Sequence, residues 1–232
     1  MEVKDLRNYG KPGCELSSTL SKEVEKRTSK IGREILYKHV GLAGMVRFTF
    51  HFITERRRML KQDLSSLREK GMTNEKFITR DIDRVAMFSA VSRIVGTEKA
   101  IQIAKELNEA ISPVIFTDIL PAAEDFKKFH DPFEALKAWE LANLEADERT
   151  GHHQSKVVEN TKDALQVDVS YCAFYEIAKQ LGVKEACLLH CYAHDAASSD
   201  LLNPLDIEFK MTNTLVDGAS CCDLRFERMR NG

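Results

Sequence analysis

The hydrophobic pattern changes period at Gly151, and that change limits the folds open to the chain. Before Gly151 apolar residues recur every three or four positions; after it, short valine-rich runs alternate apolar and polar side chains. A period near 3.6 buries one stripe of a helix and a period of two buries one face of a strand, so neither pattern serves the other element. Helices followed by antiparallel strands make an α+β fold. The expected layout is a mainly helical region, 1–150, then an α+β region, 151–232, in which a small antiparallel sheet carries two inserted helices and a C-terminal β-hairpin. The two regions are expected to form one compact unit.

An irregular arm with Gly10, Pro12 and Gly13 comes first. The spacing predicts charged helices between residues 21 and 67, joined or kinked near Gly41 and Gly44. A third helix is expected over 74–95. A fourth spans 97–111, where Ala100, Ile103, Ala104, Leu107, Ala110 and Ile111 share a face; Thr97 is its cap and Pro113 its stop. Asp131, Pro132 and Glu134 combine an N-cap, a first-turn proline and a capping-box acid. They start a fifth helix that carries Phe133, Leu136 and Trp139 inward and ends before Gly151. Beyond it, 156–159 and 165–169 read as a strand pair turning at 160–163. Residues 171–181 form a helix closed by Gly182, and 183–190 a second short one. The run 205–215, a turn at Asp217 and Gly218, and the return through Cys222, Leu224 and Phe226 make the hairpin.

Composition narrows the function classes. The chain has 232 residues and a formal charge of -2. The first region holds 26 basic and 24 acidic residues and the second 8 and 12, so neither builds a strong cationic field. Capture of nucleic acid is not expected. There is no charged-then-apolar leader and no apolar run near the roughly 18 residues a bilayer span needs, so no membrane partner is expected and the cytoplasm is the inferred compartment. Six cysteines are too few for a disulfide scaffold; in a reducing compartment clustered thiols serve as ligands or reactive groups. Taken singly, each is as readily a small buried apolar residue. Arg56, Arg57, Arg58 and Lys61, flanked by Glu55 and Asp63, read as a solvated helix face. His39, His51 and His130 read as ordinary surface or core histidines, and His152 and His153 as part of a solvated connector. Neither a glycine-rich phosphate loop nor a Gly-x-Ser-x-Gly elbow occurs.

Five of the six cysteines fall in the last third. Tyr171 and Cys172, a helix with Glu176, the Leu181–Gly182 stop, Glu185, and Cys191 with a carboxylate soon after make the first half of a pattern. Asn203–Pro204, Thr212, Thr214, Leu215 and Gly218 lead to its end, Cys221, Cys222, Asp223, Leu224, Arg225, Phe226. Over 166–227 this series resembles the L-2-amino-thiazoline-4-carboxylic acid hydrolase family. The resemblance implies a hydrolase that opens a small cyclic amidine by cleaving a non-peptide carbon–nitrogen bond in a small-molecule substrate. The family's cysteine is followed three residues later by aspartate; here His194 stands at that position and Asp195 one further on, so either fills the role.

The residues themselves suit such chemistry. A protonated cyclic amidine is a planar cation that a carboxylate grips with paired hydrogen bonds, and Asp223 and Asp195 are the candidates. A thiolate attacking the ring carbon needs a neighbouring cation or a helix N-terminus to lower its pKa. Cys222, with Arg225 and His194 near in sequence, is the first candidate nucleophile; Cys172, at the start of a predicted helix, is the second, and Cys191 completes the catalytic set. Arg225, His194, Tyr171 and Thr214 are the candidate substrate-binding residues, although Arg225 is equally suited to pairing with Asp217 or Glu227. Strand alternation sets Cys222, Leu224 and Phe226 on one face and Asp223 with Arg225 on the other, which puts the thiol and the carboxylate in tension. The thiol route needs no cofactor. The competing route is zinc on Cys172, Cys191 and Cys222 with His190, His194 or Asp195 as fourth ligand. A non-catalytic alternative is a small-molecule or zinc-binding sensor domain, and the N-terminal helices offer a platform for a homo-oligomer.

Overall fold

The computed structural model describes residues 1–16, 20–191 and 201–229. Helices precede a four-stranded antiparallel sheet, as the change of period predicts. Helix α1 is a single turn, Gly13–Leu16, and α2 runs over Lys22–Met59 from Ser21, whose side chain accepts a hydrogen bond from the Val24 amide. Gly41 (φ 64°, ψ -176°) breaks the helical geometry inside α2, the kink expected there. Along α2, Leu42, Val46, Phe50 and Ile53 stand exposed at four- and three-residue spacing, an apolar stripe on the helix expected to support self-association. The basic run near its end is partnered: Arg56 meets Asp83 and Arg58 meets Glu55, itself buried.

After α3 (Ser65–Glu69) come α4 (Glu75–Val95), capped by Asn74, and α5 (Thr97–Ile119). Gly96, not Thr97, is the N-cap of α5. The stop expected at Pro113 does not occur. Proline removes one helical donor, at a cost of about 3 kcal/mol in a helix interior. Here the apolar stripe of α5 packs on α2 and α4, with Ala100, Ile103 and Ala104 in one core cluster, and tertiary burial overrides the local break. Helix α6 (Ala123–Phe126) precedes α7 (Pro132–Arg149), where Asp131 accepts from the Phe133 and Glu134 amides. Trp139 is buried and its Nε1–H donates to the Arg7 carbonyl at 3.0 Å, pinning the N-terminal arm.

The sheet has the order β1–β2–β4–β3, from β1 (His153–Asn160), β2 (Ala164–Cys172), β3 (Ile207–Lys210) and β4 (Cys222–Arg228). Strand β1 begins three residues before the valine-rich run. Strand β3 is shorter than the alternation over 205–215 suggests, because Asp223 takes the backbone. Its Oδ1 accepts from the amides of Thr212 and Asn213, each at 2.7 Å, so those groups leave the ladder. Leu165, Val167, Leu224 and Phe226 pack with Phe133 and Trp139. A second cluster joins α2, α4 and α5 to Tyr171–Phe174, to α8 (Ala173–Gln180) and to the 3-10 turn Lys184–Cys187. The end of β2 and the start of α8 thus sit where sheet and helices meet.

Candidate active site

Three elements converge at that junction. Helix α7 delivers Asp147 in its last turn, Gly151 reverses the chain, and β1 opens on His153. Gly151 is in the left-handed region at φ 71° and lies against the backbone of Gly71 and Met72; a Cβ there would come within 2.4 Å of both. The turn is fastened on both sides of His152, whose N–H donates to the Asp147 carbonyl and whose carbonyl accepts from Ala173, each at 2.8 Å. The His152 ring is buried edge-on to Phe77 at 3.9 Å, and burial pulls its pKa down to about 4. A neutral, enclosed imidazole of this kind is a packing group.

His153 is different. Its Nδ1 lies 3.0 Å from Asp147 Oδ2, while Asp147 Oδ1 accepts from the Gly13 amide at 2.7 Å, so the carboxylate is held from two sides. The β1–β2 register sets His153 directly opposite Cys172, and opposed residues on antiparallel strands project to the same side. Each group favours the other's charged form, so that His153 lowers the Cys172 pKa and Cys172 raises that of His153. Cysteine, histidine and aspartate are therefore linked in series, from β2 through β1 to α7. His153 keeps 21% of its side chain exposed and Asp147 9%, so the imidazole is the more open of the two.

The electrostatics follow from these contacts. Cys172 is held well below the usual thiol range, first by a hydrogen bond from Cys187, which outweighs burial, and then by His153 and the Tyr175 amide in the first turn of α8. Burial opposes the charged form of His153, but the bonds to Asp147 and Cys172 prevail and raise its pKa to about 10. Both shifts favour the charged forms, thiolate on Cys172 and imidazolium on His153. We expect ultraviolet thiolate absorbance to persist at pH 7 in the parent protein and to fall in His153→Ala, which keeps Cys187 beside Cys172 but loses the cation. Equal absorbance in both would remove His153 as the stabilising cation.

The other thiols surround this pair without sharing its charge. Cys187 is buried and pushed well above the usual range, since it donates to Cys172 and bonds Cys191. Cys222 packs on the larger core cluster, accepts from the Leu215 amide at 3.4 Å, and is pushed by burial up to about 12. Burial and nearby Asp168 also raise Cys221. Asp81 on α4, fully buried with Arg84 at 3.2 Å, is driven by desolvation to about 7, and the charge of Cys172 adds to that rise.

The remaining candidates divide by location. Asp223 is a clip for the loop before β4: burial opposes its ionisation, but bonds from Thr212 and Asn213 hold it at about 2. Arg225 Nη1 lies 2.7 Å from both Glu159 and Gln166, and its Nε 2.7 Å from Glu227. It ties β1, β2 and β4 together through these bonds to Glu159, Gln166 and Glu227. Thr214 bonds Asp217 within its own turn. Tyr171 is buried beside Cys172. His194 and Asp195 lie outside the described residues. Cys172 and Cys191 are both near Cys222, yet among the described residues no three histidine, cysteine or acidic side chains are grouped so as to hold a metal ion. Sequence reasoning passed over His153 and Asp147; the signal available was the histidine pair at the head of the first strand. No helix among the described residues is long and apolar enough to cross a membrane.

No curated protein matches the chain. The family model for L-2-amino-thiazoline-4-carboxylic acid hydrolase matches residues 74–226, starting far upstream of the region around 166 where the resemblance was drawn and taking in α4, α5 and α7. The helices that carry Asp81 and Asp147 therefore fall within the matched span, together with His153, Cys172 and Cys222. With more than half of its length matched, the chain belongs to the L-2-amino-thiazoline-4-carboxylic acid hydrolase family.

Proposed function

We propose that the protein hydrolyses a carbon–nitrogen bond of a small cyclic amidine, with Cys172 as nucleophile, His153 as proton carrier and Asp147 as the group that orients it. The observation that carries this reading is the series Asp147–His153–Cys172, with its 3.0 Å carboxylate–imidazole contact and the thiol opposite the imidazole in register. Nucleophile, base and orienting acid within hydrogen-bond reach form the arrangement on which thiol acyl transfer depends.

The chemistry balances with these groups. The Cys172 thiolate adds to the carbon of the protonated amidine, which turns the ring C=N into a single bond with one proton already on the nitrogen. His153 gives its proton to that nitrogen, the exocyclic nitrogen's lone pair closes a cationic C=N, and the ring carbon–nitrogen bond breaks to free an amine. Water attacks the carbon, still bonded to Cys172 sulfur, and gives a proton to neutral His153. Collapse expels the Cys172 thiolate and leaves a carbonyl where the ring nitrogen was bonded, as the hydroxyl proton passes to the freed amine. One water is consumed and the site returns to its starting charges. Cys222 and Asp223, in this reading, serve packing and the β3–β4 connection, and Cys191 supports Cys187.

Incubation of the purified chain with L-2-amino-thiazoline-4-carboxylate should release a ring-opened carbamoyl product, and acid quenching during turnover should leave the mass of one substrate molecule on the peptide bearing Cys172. Turnover with no adduct on Cys172 and full activity after its alkylation would overturn the thiol route. The same outcome with loss of activity on chelation would favour zinc.

A further inference from the structure

A cleft of about 120 Å³ opens between α3, α8 and the end of β2, lined by Ser66, Leu67, Lys70, Tyr171, Glu176 and Gln180. Tyr171 is only 4% exposed, yet its hydroxyl has no hydrogen-bond partner among the described residues. A buried hydroxyl left without a partner costs about 1–3 kcal/mol, so its persistence at the wall of a cleft points to a ligand that satisfies it. The Lys70 ammonium stands 4.3 Å from the centroid of the Tyr171 ring, bringing a cation to the same wall. Ser66 Oγ accepts from Gln180 Nε2 at 2.9 Å, which leaves its own proton free to donate. The same lining carries Glu176, whose carboxylate lies 3.9 Å from Lys179.

Two hydroxyls and an ammonium form a carboxylate subsite, and one carboxylate forms a subsite for a cationic nitrogen. A cleft of this volume suits a small molecule and is too small for a nucleotide or a peptide. Cys172, in extended backbone at the N-cap of α8, directly follows Tyr171 and precedes Glu176 and Gln180 at four-residue steps, so the cleft adjoins the thiol along the chain. We propose that this cleft binds a small zwitterion, its carboxylate on Lys70 and Tyr171 and its cationic nitrogen on Glu176, and that it positions the substrate for Cys172. The second clause rests on the thiol reading; the first does not.

Binding can be measured without turnover, on the full chain carrying Cys172→Ala, by calorimetry with L-2-amino-thiazoline-4-carboxylate and with 2-amino-2-thiazoline, which lacks the carboxylate. The carboxylate-bearing ring should bind at least tenfold more tightly, the scale of one charge-assisted hydrogen bond. Lys70→Met and Tyr171→Phe should each remove that preference while leaving affinity for the plain ring unchanged, and Glu176→Gln should weaken both. A preference that survives Lys70→Met and Tyr171→Phe overturns the assignment, as does failure of either ring to bind at ~10 mM, where even a millimolar site would fill. A Lys70-dependent preference in a protein whose parent form never turns over would keep the cleft and remove Cys172 as nucleophile. Turnover by Cys172 indifferent to Lys70 would do the reverse.

Discussion

Cys172→Ser lowers ring opening by about three orders of magnitude or more, while Cys222→Ser leaves it within roughly tenfold of the parent, because only one of these sulfurs is supplied with a cation. A serine hydroxyl at 172 would not ionise beside an imidazolium, so the exchange removes the nucleophile with little change of volume. At 222 the sulfur is a protonated packing atom, pushed up to about 12 by burial, and the hydroxyl fills nearly the same space. His153→Ala should cost about 100- to 10,000-fold, the range of a lost general acid–base group. The pH profile gives a separate check. Activity needs the Cys172 thiolate and the His153 imidazolium together, so it rises as pH passes the depressed Cys172 pKa and falls as pH passes about 10, where His153 loses its proton. Both limbs should be measured as kcat/KM over stable protein. Equal losses at 172 and 222, or an acid limb at an ordinary thiol pKa, would refute the assignment.

The fold was more legible than the site, for reasons visible in single elements. Period marked α4, and the Asp131 cap with Pro132 marked α7, to within a residue, because such a cap acts through the first turn of its own helix. Pro113 misled because its local penalty is small beside the burial of a long apolar face against two helices. Asp223, placed with the chemistry from sequence, is drawn to the amides of Thr212 and Asn213, a bond between loop and strand that no spacing rule announces. The histidine pair after Gly151 resembled a connector because polar residues there carry no valine-like strand signal. Counting back from the turn, where Asn160 pairs with Leu165, arrives at Cys172 as the partner of His153 only because the two register shifts in the hairpin cancel. Asp147 could not be found this way. It reaches His153 from a helix, across the Gly151 turn, and that approach depends on packing against Gly71 and Met72.

Gly151→Ala should destabilise the protein by about 3–5 kcal/mol, summing left-handed backbone strain and the overpacking of a methyl group into a filled space. For a chain of this size that corresponds to a fall in Tm of roughly 10 °C. The atoms the methyl would strike are backbone, Gly71 C and Met72 N at 2.4 Å, and backbone cannot rotate aside as a flexible side chain would. Gly218→Ala is the control. Gly218 has the same positive φ, at 92°, but an added Cβ would meet nothing within 4 Å, so only the strain remains, about 1–2 kcal/mol. The difference between the two variants isolates the close approach from the backbone conformation. It also tests the site, because relief of the clash must move either the 71–72 segment or the turn that presents His152 and His153. If the turn moves, the imidazole leaves Asp147 and Cys172, and the folded fraction of Gly151→Ala loses its neutral-pH thiolate absorbance while Gly218→Ala retains it. Equal stability of the two variants would mean the contact with Gly71 is not close in solution, and the alignment of His153 would then need another cause.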